Sequence, residues 1–193
     1  MNIKTYLFFI LIFSFKPIHA QYLELKNCIN EQINNISYII NYEIENEIDV
    51  FDSIQKLENY LINEKILKDR NLESYQKLNQ RKTENLDINK IFKDFPFLFA
   101  LNYESDYLFG NYNACFYNVS KTKMKWAKQL WPEKKVYDKI IAEGPVNYNI
   151  VNQLSETINF DNNVSRFMLC NLVYNKWVQD YKDEIWRNKK REK

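Results

Sequence analysis

Apolar residues recur at every third or fourth position through the first part of the chain. The stripe is formed by Leu25, Ile29, Ile33, Ile36, Ile40, Ile44 and Ile48. Such spacing places the apolar side chains on one face of a helix. Between Tyr42 and Val50 apolar residues also alternate with acidic ones, as in a half-buried strand. We expect helix there, because the longer pattern continues through this segment.

A second and more regular stripe lies near the end of the sequence, from Val164 to Asn188. Its members are Phe167, Cys170, Val173, Tyr174, Trp177, Tyr181 and Ile185. This pattern predicts a long final helix with one apolar side. Asp161 or Asn162 can cap its first turn.

Shorter helices are predicted between these two stripes. Asp49 or Asp52 can cap a helix whose apolar positions are Ile54, Leu57 and Leu61. The polar stretch from Lys68 to Lys82 predicts a short exposed helix around Leu72, Tyr75 and Leu78.

Prolines in the middle of the sequence predict where helices end. Pro96 predicts that a helix ends at or just before Phe95. Residues 97–119 are rich in aromatic side chains around Gly110, and two structures fit them: a small hairpin, or a loop packed on the core. Ser120 can cap a helix that Pro132 terminates.

Two further helices are predicted at about residues 133–142 and 146–158, separated by Glu143-Gly144-Pro145. The sequence therefore predicts a mainly α fold. We expect a single irregular bundle of about six to seven helices in residues 21–193, with or without one small hairpin around 97–119. Residues 187–193 form a basic tail.

The N-terminus has the pattern of a secretory signal peptide. Lys4 precedes an apolar run at residues 6–15, which Pro17 ends, and a small residue, Ala20, follows. A run of about ten residues is too short to span a membrane, which requires roughly twenty. We expect cleavage after Ala20, a mature chain that is not membrane-embedded, and a periplasmic or secreted destination.

Two residue types are too scarce for common catalytic machinery. The only histidine, His19, lies in the predicted signal peptide, so the mature chain has no histidine for triads, acid–base catalysis or metal ligation. The only glycines are Gly110 and Gly144, too few for a phosphate-binding loop. We therefore assign no catalytic, cofactor-binding or metal-binding residue and expect no cofactor.

Three cysteines, Cys28, Cys115 and Cys170, remain in the mature chain. In an oxidising compartment three cysteines allow one disulfide and leave one thiol. We expect a bond between Cys115 and Cys170, because it would pin the irregular aromatic segment to the final helix. The alternative is three buried, reduced cysteines.

Charge is balanced overall but uneven along the chain. Removing the two basic residues of the signal peptide from the 27 in the sequence leaves 25, equal to the 25 acidic residues. This balance argues against nucleic acid as a partner. Locally, a basic segment has two interpretations, of which we favour the first: a solvated helix face, or a binding surface for a protein or an anionic glycan. The segment consists of Lys121, Lys123, Lys125, Trp126 and Lys128.

These features together favour an exported, non-catalytic binding or interaction protein. The alternative is a carbohydrate-active enzyme, because two carboxylates are enough to hydrolyse a glycosidic bond. The acids that lie near predicted loops or aromatic residues are Glu104, Asp106, Glu143 and Glu156.

Overall fold

Helices joined by turns and bends make up the part of the chain that the computed structural model describes. This part comprises residues 23–35, 49–81, 86–103, 108–121 and 163–191, with short stretches between 135 and 161. Among these residues there is no strand. The predicted mainly α, irregular helical bundle is confirmed. The predicted signal peptide lies outside the described residues.

The helices, numbered in chain order, are α1 (residues 23–35), α2 (Val50–Asn63), α3 (Leu72–Gln80), α4 (Ile88–Asp94), α5 (Pro96–Tyr103), α6 (Leu108–Lys121) and α7 (Asn163–Arg191). Residues 135, 138–139, 142, 151–153 and 156 are also helical. These positions agree with the helices predicted at 133–142 and 146–158. The helix predicted around Tyr75 corresponds to α3, and the one predicted to end before Pro96 corresponds to α4.

The first apolar stripe forms α1 as far as residue 35. Leu25, Ile29 and Ile33 are completely buried, as expected for one face of a helix against a core. Residues 36–48 lie outside the described residues. The helix predicted from Tyr42 to Val50 is interrupted at Asp49, whose backbone is extended, with φ −95° and ψ 100°.

Asp49 is instead the N-cap of α2, one of the two caps that the sequence predicts. Its carboxylate accepts a hydrogen bond from the N–H of Asp52 at 3.1 Å, which satisfies a donor that the first helical turn leaves unpaired. The same carboxylate forms an ion pair with Lys26 of α1. Asn30 of α1 accepts a hydrogen bond from the N–H of Val50 at 3.0 Å. These contacts fix the start of α2 against α1.

Both structures predicted for residues 97–119, hairpin and irregular loop, are wrong for the described part of this segment, which forms α5 and α6. Pro96 is the first residue of α5, where its missing N–H costs nothing and its fixed φ suits a helix. In α6 the buried residues are spaced at i, i+3, i+4 and i+7, namely Tyr112, Cys115, Phe116 and Val119. This spacing is helical and outweighs the turn-forming Gly110.

The prediction that Ser120 begins a helix is also wrong. Ser120 is the penultimate residue of α6, which ends at Lys121. The residues after Lys121 that the prediction assigned to this helix lie outside the described part of the chain.

The final helix, α7, is confirmed and occupies the centre of the bundle. From Val164 to Val178 almost every residue is buried. A helix buried on all sides must be covered by several neighbours. Those with the most extensive contacts are α5 and α2. On the α2 side, Phe51 stacks on Phe167 with ring centroids 3.9 Å apart.

Candidate binding surface and buried polar clusters

The C-terminal end of α7 extends beyond the core. Residues 183–191 are exposed except for Ile185, which is half-buried, and all nine are helical. At 1.5 Å per residue this extension is about 13 Å long. It presents side chains to solvent from a helical backbone.

Trp186 is the most solvent-accessible of the large hydrophobic residues described, with 58% of its surface exposed. Lys190, one helical turn later, places its Nζ 3.7 Å from the centroid of the Trp186 ring, a cation–π contact. The cations of this extension are Arg187, Lys189, Lys190 and Arg191, and no acidic residue lies between 185 and 191. We call Trp186 and these four cations the distal surface.

Part of this composition has a structural explanation. Cations near the C-terminus of a helix are stabilised by the partial negative charge of its unpaired carbonyl groups. This effect accounts for Lys189, Lys190 and Arg191. It gives no reason for an indole ring in water, where an apolar group of this size is costly to expose. Trp186 is therefore the member of the distal surface that this effect does not explain.

The point at which α7 leaves the core is fixed by Lys182 and Tyr181. Lys182 donates a hydrogen bond from Nζ to the carbonyl oxygen of Tyr103, at the end of α5, at 2.6 Å. The same Nζ lies 4.5 Å from the centroid of the Tyr103 ring. Tyr181 makes an edge contact with Phe92 at 5.4 Å. The distal surface thus begins immediately after a well-anchored turn of helix.

The predicted surface at residues 121–128 can be placed only in part. Lys121 is the last residue of α6. The other members, Lys123, Lys125, Trp126 and Lys128, lie outside the described residues, so this prediction stays a prediction.

A buried carboxylate, Glu58, joins three regions of the bundle and has only 4% of its surface exposed. Tyr75 of α3 donates a hydrogen bond from its hydroxyl to Glu58 Oε1 at 2.6 Å. Arg70, in the α2–α3 connection, donates from Nε to Oε2 at 2.8 Å. Arg166 of α7 places Nε 3.5 Å from Oε1. Two guanidinium groups and a hydroxyl compensate the buried negative charge.

The surroundings of Tyr75 keep its hydroxyl group protonated, so that the hydroxyl can donate a hydrogen bond. Burial, reinforced by the negative charge of Glu58, raises the pKa of Tyr75 well above its ordinary value. A protonated hydroxyl donates to the carboxylate, and the carboxylate is held by two arginines. The arrangement suits a structural tie between α2, α3 and α7, since the oxygens of Glu58 are already engaged.

A small cavity of about 30 Å³ lies beside this cluster. Its lining includes Glu58, Arg166, Phe167 and Cys170. The volume suits one or two water molecules and is far below the several hundred Å³ of typical ligand pockets.

Cys170 is a free thiol at this cavity. Burial, with a smaller contribution from the charge of Glu58, raises the pKa of the Cys170 thiol far above its ordinary value. The thiol is therefore protonated, and a protonated thiol is a poor nucleophile. Cys170 behaves here as a small buried apolar side chain.

The disulfide joins Cys28 of α1 to Cys115 of α6, with their Cα atoms 5.7 Å apart. The predicted pairing of Cys115 with Cys170 is wrong. In the helical α6, Cys115 lies on the buried face that meets α1, whereas Cys170 lies beside Tyr75 and Glu58. The bond ties the first helix of the bundle to its middle.

A second buried polar group connects α5 and α7 through asparagines. Asn175 donates from Nδ2 to Asn102 Oδ1 at 3.1 Å, and Asn102 donates from Nδ2 to the carbonyl oxygen of Leu98 at 2.9 Å. Both asparagines have at most 1% of their surface exposed. Because buried amides need partners, these bonds favour one register of α7 along α5.

Of the four carboxylates considered for glycan hydrolysis, only Glu156 belongs to the described part of the chain, and it is exposed. Glu104, Asp106 and Glu143 lie outside that part, so their prediction stays a prediction. No group of three or more histidine, cysteine, aspartate or glutamate side chains in the described part could hold a metal ion. None of the described helices is both long enough and apolar enough to cross a membrane.

The sequence signals for these features differ in strength. Trp186 lies off the apolar stripe of α7 and precedes a basic run, which is a detectable pattern. Glu58, Arg70 and Arg166 carry no such signal, because their meeting depends on how three separate elements pack. Comparison with protein-family models, with curated proteins and with solved structures finds no match for this chain.

Proposed function

We propose that this protein is exported to the periplasm or the cell exterior and acts there as a non-catalytic binding protein through the distal surface of α7. The observation that carries the binding role is the exposed Trp186, flanked by cations on a helix end that extends beyond the core. Exposed aromatic and arginine side chains are frequent anchors of binding surfaces.

Export is supported by two independent features. The N-terminal pattern is that of a cleavable signal peptide ending at Ala20. A disulfide between Cys28 and Cys115 is the kind of bond that persists in oxidising compartments and is rare in the cytosol.

The binding role is also favoured by the state of the buried reactive groups. The Cys170 thiol is held in its protonated form, and the Glu58 carboxylate accepts hydrogen bonds from Arg70 and Tyr75 and forms an ion pair with Arg166. Each group therefore contributes to packing, and neither is prepared for nucleophilic or acid–base chemistry.

Two measurements on protein from its native source test the proposal. Intact mass should correspond to a chain that begins at Gln21 and contains one disulfide. Immobilised mature protein should retain a component of the envelope or exterior fraction, and Trp186→Ala should release it. The control is Tyr117→Ala, which removes another exposed aromatic side chain, 47% exposed, from a different helix.

Three results would contradict the proposal. A chain that retains Met1 and is confined to the cytosol would exclude export. Equal retention by wild type and Trp186→Ala would exclude the distal surface as the binding site. Release of reducing sugars from a wall glycan by the purified protein would favour the carbohydrate-active enzyme instead.

A further inference from the structure

We infer that the ligand of the distal surface is an anionic polysaccharide, with a sugar ring packed on Trp186 and its acidic groups bound by the neighbouring cations. This inference rests on the proposed function and specifies the chemistry of its partner.

The arrangement of charge around Trp186 is the first support. Lys189 and Lys190 lie three and four residues after Trp186, so they share its side of the helix. Arg187 and Arg191 continue the positive charge around the helix, and Asp183 and Glu184 lie one turn earlier. The cations therefore lie beside the ring and after it along the helix, whereas the acidic side chains lie before it. An anionic ligand that contacts Trp186 meets positive charge toward the C-terminal end of α7.

The state of the ring is the second support. Lys190 covers one face of the indole, at 3.7 Å from Nζ to the centroid. With 58% of the residue exposed, more than half of its surface remains open to solvent. The apolar C–H face of a sugar ring is of matching size and packs on a flat aromatic ring through dispersion. Acidic substituents on the same sugar can reach the Lys190 ammonium group.

A protein partner would require a larger apolar patch. Stable protein interfaces bury about 800 Å² on each partner around an apolar centre. In the distal surface a single aromatic ring is surrounded by charged side chains, and its apolar neighbour Ile185 is half-buried against the bundle. A chain of sugars needs only one stacking platform and a row of charges.

A membrane surface and a nucleic acid match the distal surface less well than an anionic polysaccharide does. Helices that bind in a membrane interface have a continuous apolar face, whereas the exposed part of α7 offers only Trp186. Single-stranded nucleic acid also stacks on aromatic rings and binds cations. The balanced charge of the mature chain and its proposed export favour the polysaccharide.

Calorimetric titration of the mature protein with four soluble polymers tests the inference. Dextran sulfate supplies sugar rings with anionic groups, dextran supplies the rings alone, and polyphosphate supplies the charge alone. Single-stranded DNA and vesicles containing phosphatidylglycerol represent the nucleic acid and the membrane as alternative partners. We expect dextran sulfate to bind most tightly, dextran not to bind, and salt to weaken the complex.

Matched variants separate stacking from charge. Trp186→Ala should lower the affinity for dextran sulfate by roughly tenfold, the loss typical of an aromatic anchor, and leave polyphosphate binding nearly unchanged. The combination Arg187→Gln, Lys189→Gln and Arg191→Gln should weaken binding of both polymers. The charge-matched control replaces three exposed lysines of other helices by glutamine, Lys56, Lys77 and Lys90.

The inference is overturned if Trp186→Ala binds dextran sulfate as tightly as wild type does, or if the three-lysine control loses as much affinity as the distal variant. Tighter binding to DNA or to vesicles would equally overturn it. A third outcome separates this inference from the proposed function. If none of these polymers binds, but wild type still retains a native component that Trp186→Ala releases, the polysaccharide is excluded and the proposed binding function stands.

Discussion

The two halves of α7 have opposite surroundings within one continuous helix. From Val164 to Val178 the side chains are buried among neighbouring helices, and from residue 183 to 191 they are mostly exposed. The first half contains Trp177, completely buried, and the second contains Trp186, 58% exposed. The same residue type thus serves the core in one half and the surface in the other.

This difference separates stability from binding. Changes in the buried half should alter the free energy of unfolding, because packed side chains and paired charges are lost there. Changes in the distal surface should leave unfolding unaffected and alter only binding. The helical backbone, anchored in the core at residues 181–182, also sets the spacing of the exposed side chains, and such preorganisation lowers the entropic cost of binding.

The largest expected effect comes from the covalent link of the bundle, which does not involve the cysteine of α7. Replacing Cys28 and Cys115 together by alanine opens a loop of 87 residues. The loop-entropy relation predicts a loss of about 4.5 kcal/mol in the free energy of unfolding. Cys170→Ala should cost only about 1 kcal/mol, the scale of deleting one small buried group.

Urea denaturation of the oxidised proteins measures both changes. Mass spectrometry after alkylation without reduction should show one free thiol in wild type and none in Cys170→Ala. A disulfide that survives replacement of Cys28 would show that the pairing of α1 with α6 is wrong.

Next in size is the contrast between the two tryptophans of α7. Trp177→Ala should lower the free energy of unfolding by about 4 kcal/mol, as large core truncations do. Its indole N–H has no hydrogen-bond partner among the described residues, so the loss should come mainly from apolar packing, and Trp177→Phe should cost less. Trp186→Ala should change stability by less than about 0.5 kcal/mol.

Chemical denaturation, monitored by circular dichroism, gives these values for each variant. A loss of more than about 2 kcal/mol in Trp186→Ala would show that the distal half is packed against another part of the chain. The proposed separation between core and surface would then fail.

A smaller effect is expected from the charged tie that connects the buried half of α7 to α2 and α3. Glu58→Ala should destabilise the protein by about 3 kcal/mol, because Arg166 and the Tyr75 hydroxyl lose their anionic partner in a buried setting. Tyr75→Phe removes one hydrogen bond and should cost about 1 kcal/mol.

A double-mutant cycle with Arg70→Gln measures the coupling directly. If Glu58→Ala is as stable as wild type, the carboxylate is not a structural tie, and its burial would need another explanation. Glu58→Ala, Tyr75→Phe and Arg70→Gln should all leave the affinity of the distal surface for its ligand unchanged.

Local patterns of the sequence account for most of the helices and for few of the contacts between them. The stripe from Phe167 to Ile185 predicts α7 to within a few residues, because a long period of three and four positions has no competing interpretation. Residues 108–121 have an equally helical spacing, but Gly110 and the density of aromatic residues also favour a turn or a loop. The longer helical pattern prevails over this local preference, because the segment forms α6.

The pairing of cysteines and the Glu58 cluster could not be predicted in this way. Three cysteines allow three pairings, and choosing among them requires knowing which helix faces which. Glu58, Arg70 and Arg166 come from α2, from the connection that follows it and from α7. Their proximity is a property of packing, whereas the basic, tryptophan-bearing end of α7 is visible in the sequence as a local run.

The smallest expected effect is a pH dependence of the free energy of unfolding. It again distinguishes the helical bundle from the distal surface. Burial raises the pKa of Asp49, but hydrogen bonds from Lys26 and from the N–H of Asp52 outweigh burial and leave this pKa below its ordinary value of 3.8. A carboxylate with a lowered pKa stabilises the folded state above its unfolded pKa, and this contribution disappears as pH falls through the folded value.

Asp49→Asn keeps an N-cap for α2 but removes the ion pair, so it should cost about 0.5 kcal/mol at pH 7 and less at an acidic pH, because the wild-type carboxylate loses its charge as pH falls through its folded pKa. Asp49→Ala also loses the cap and should cost about 1 kcal/mol more at both pH values. Unfolding curves at the two pH values measure the difference. If Asp49→Asn shows the same cost at both, the ion pair with Lys26 does not contribute. The distal surface has no acidic residue between 185 and 191. A fall in pH that destabilises the helical bundle should therefore leave the positive charge of the distal surface unchanged.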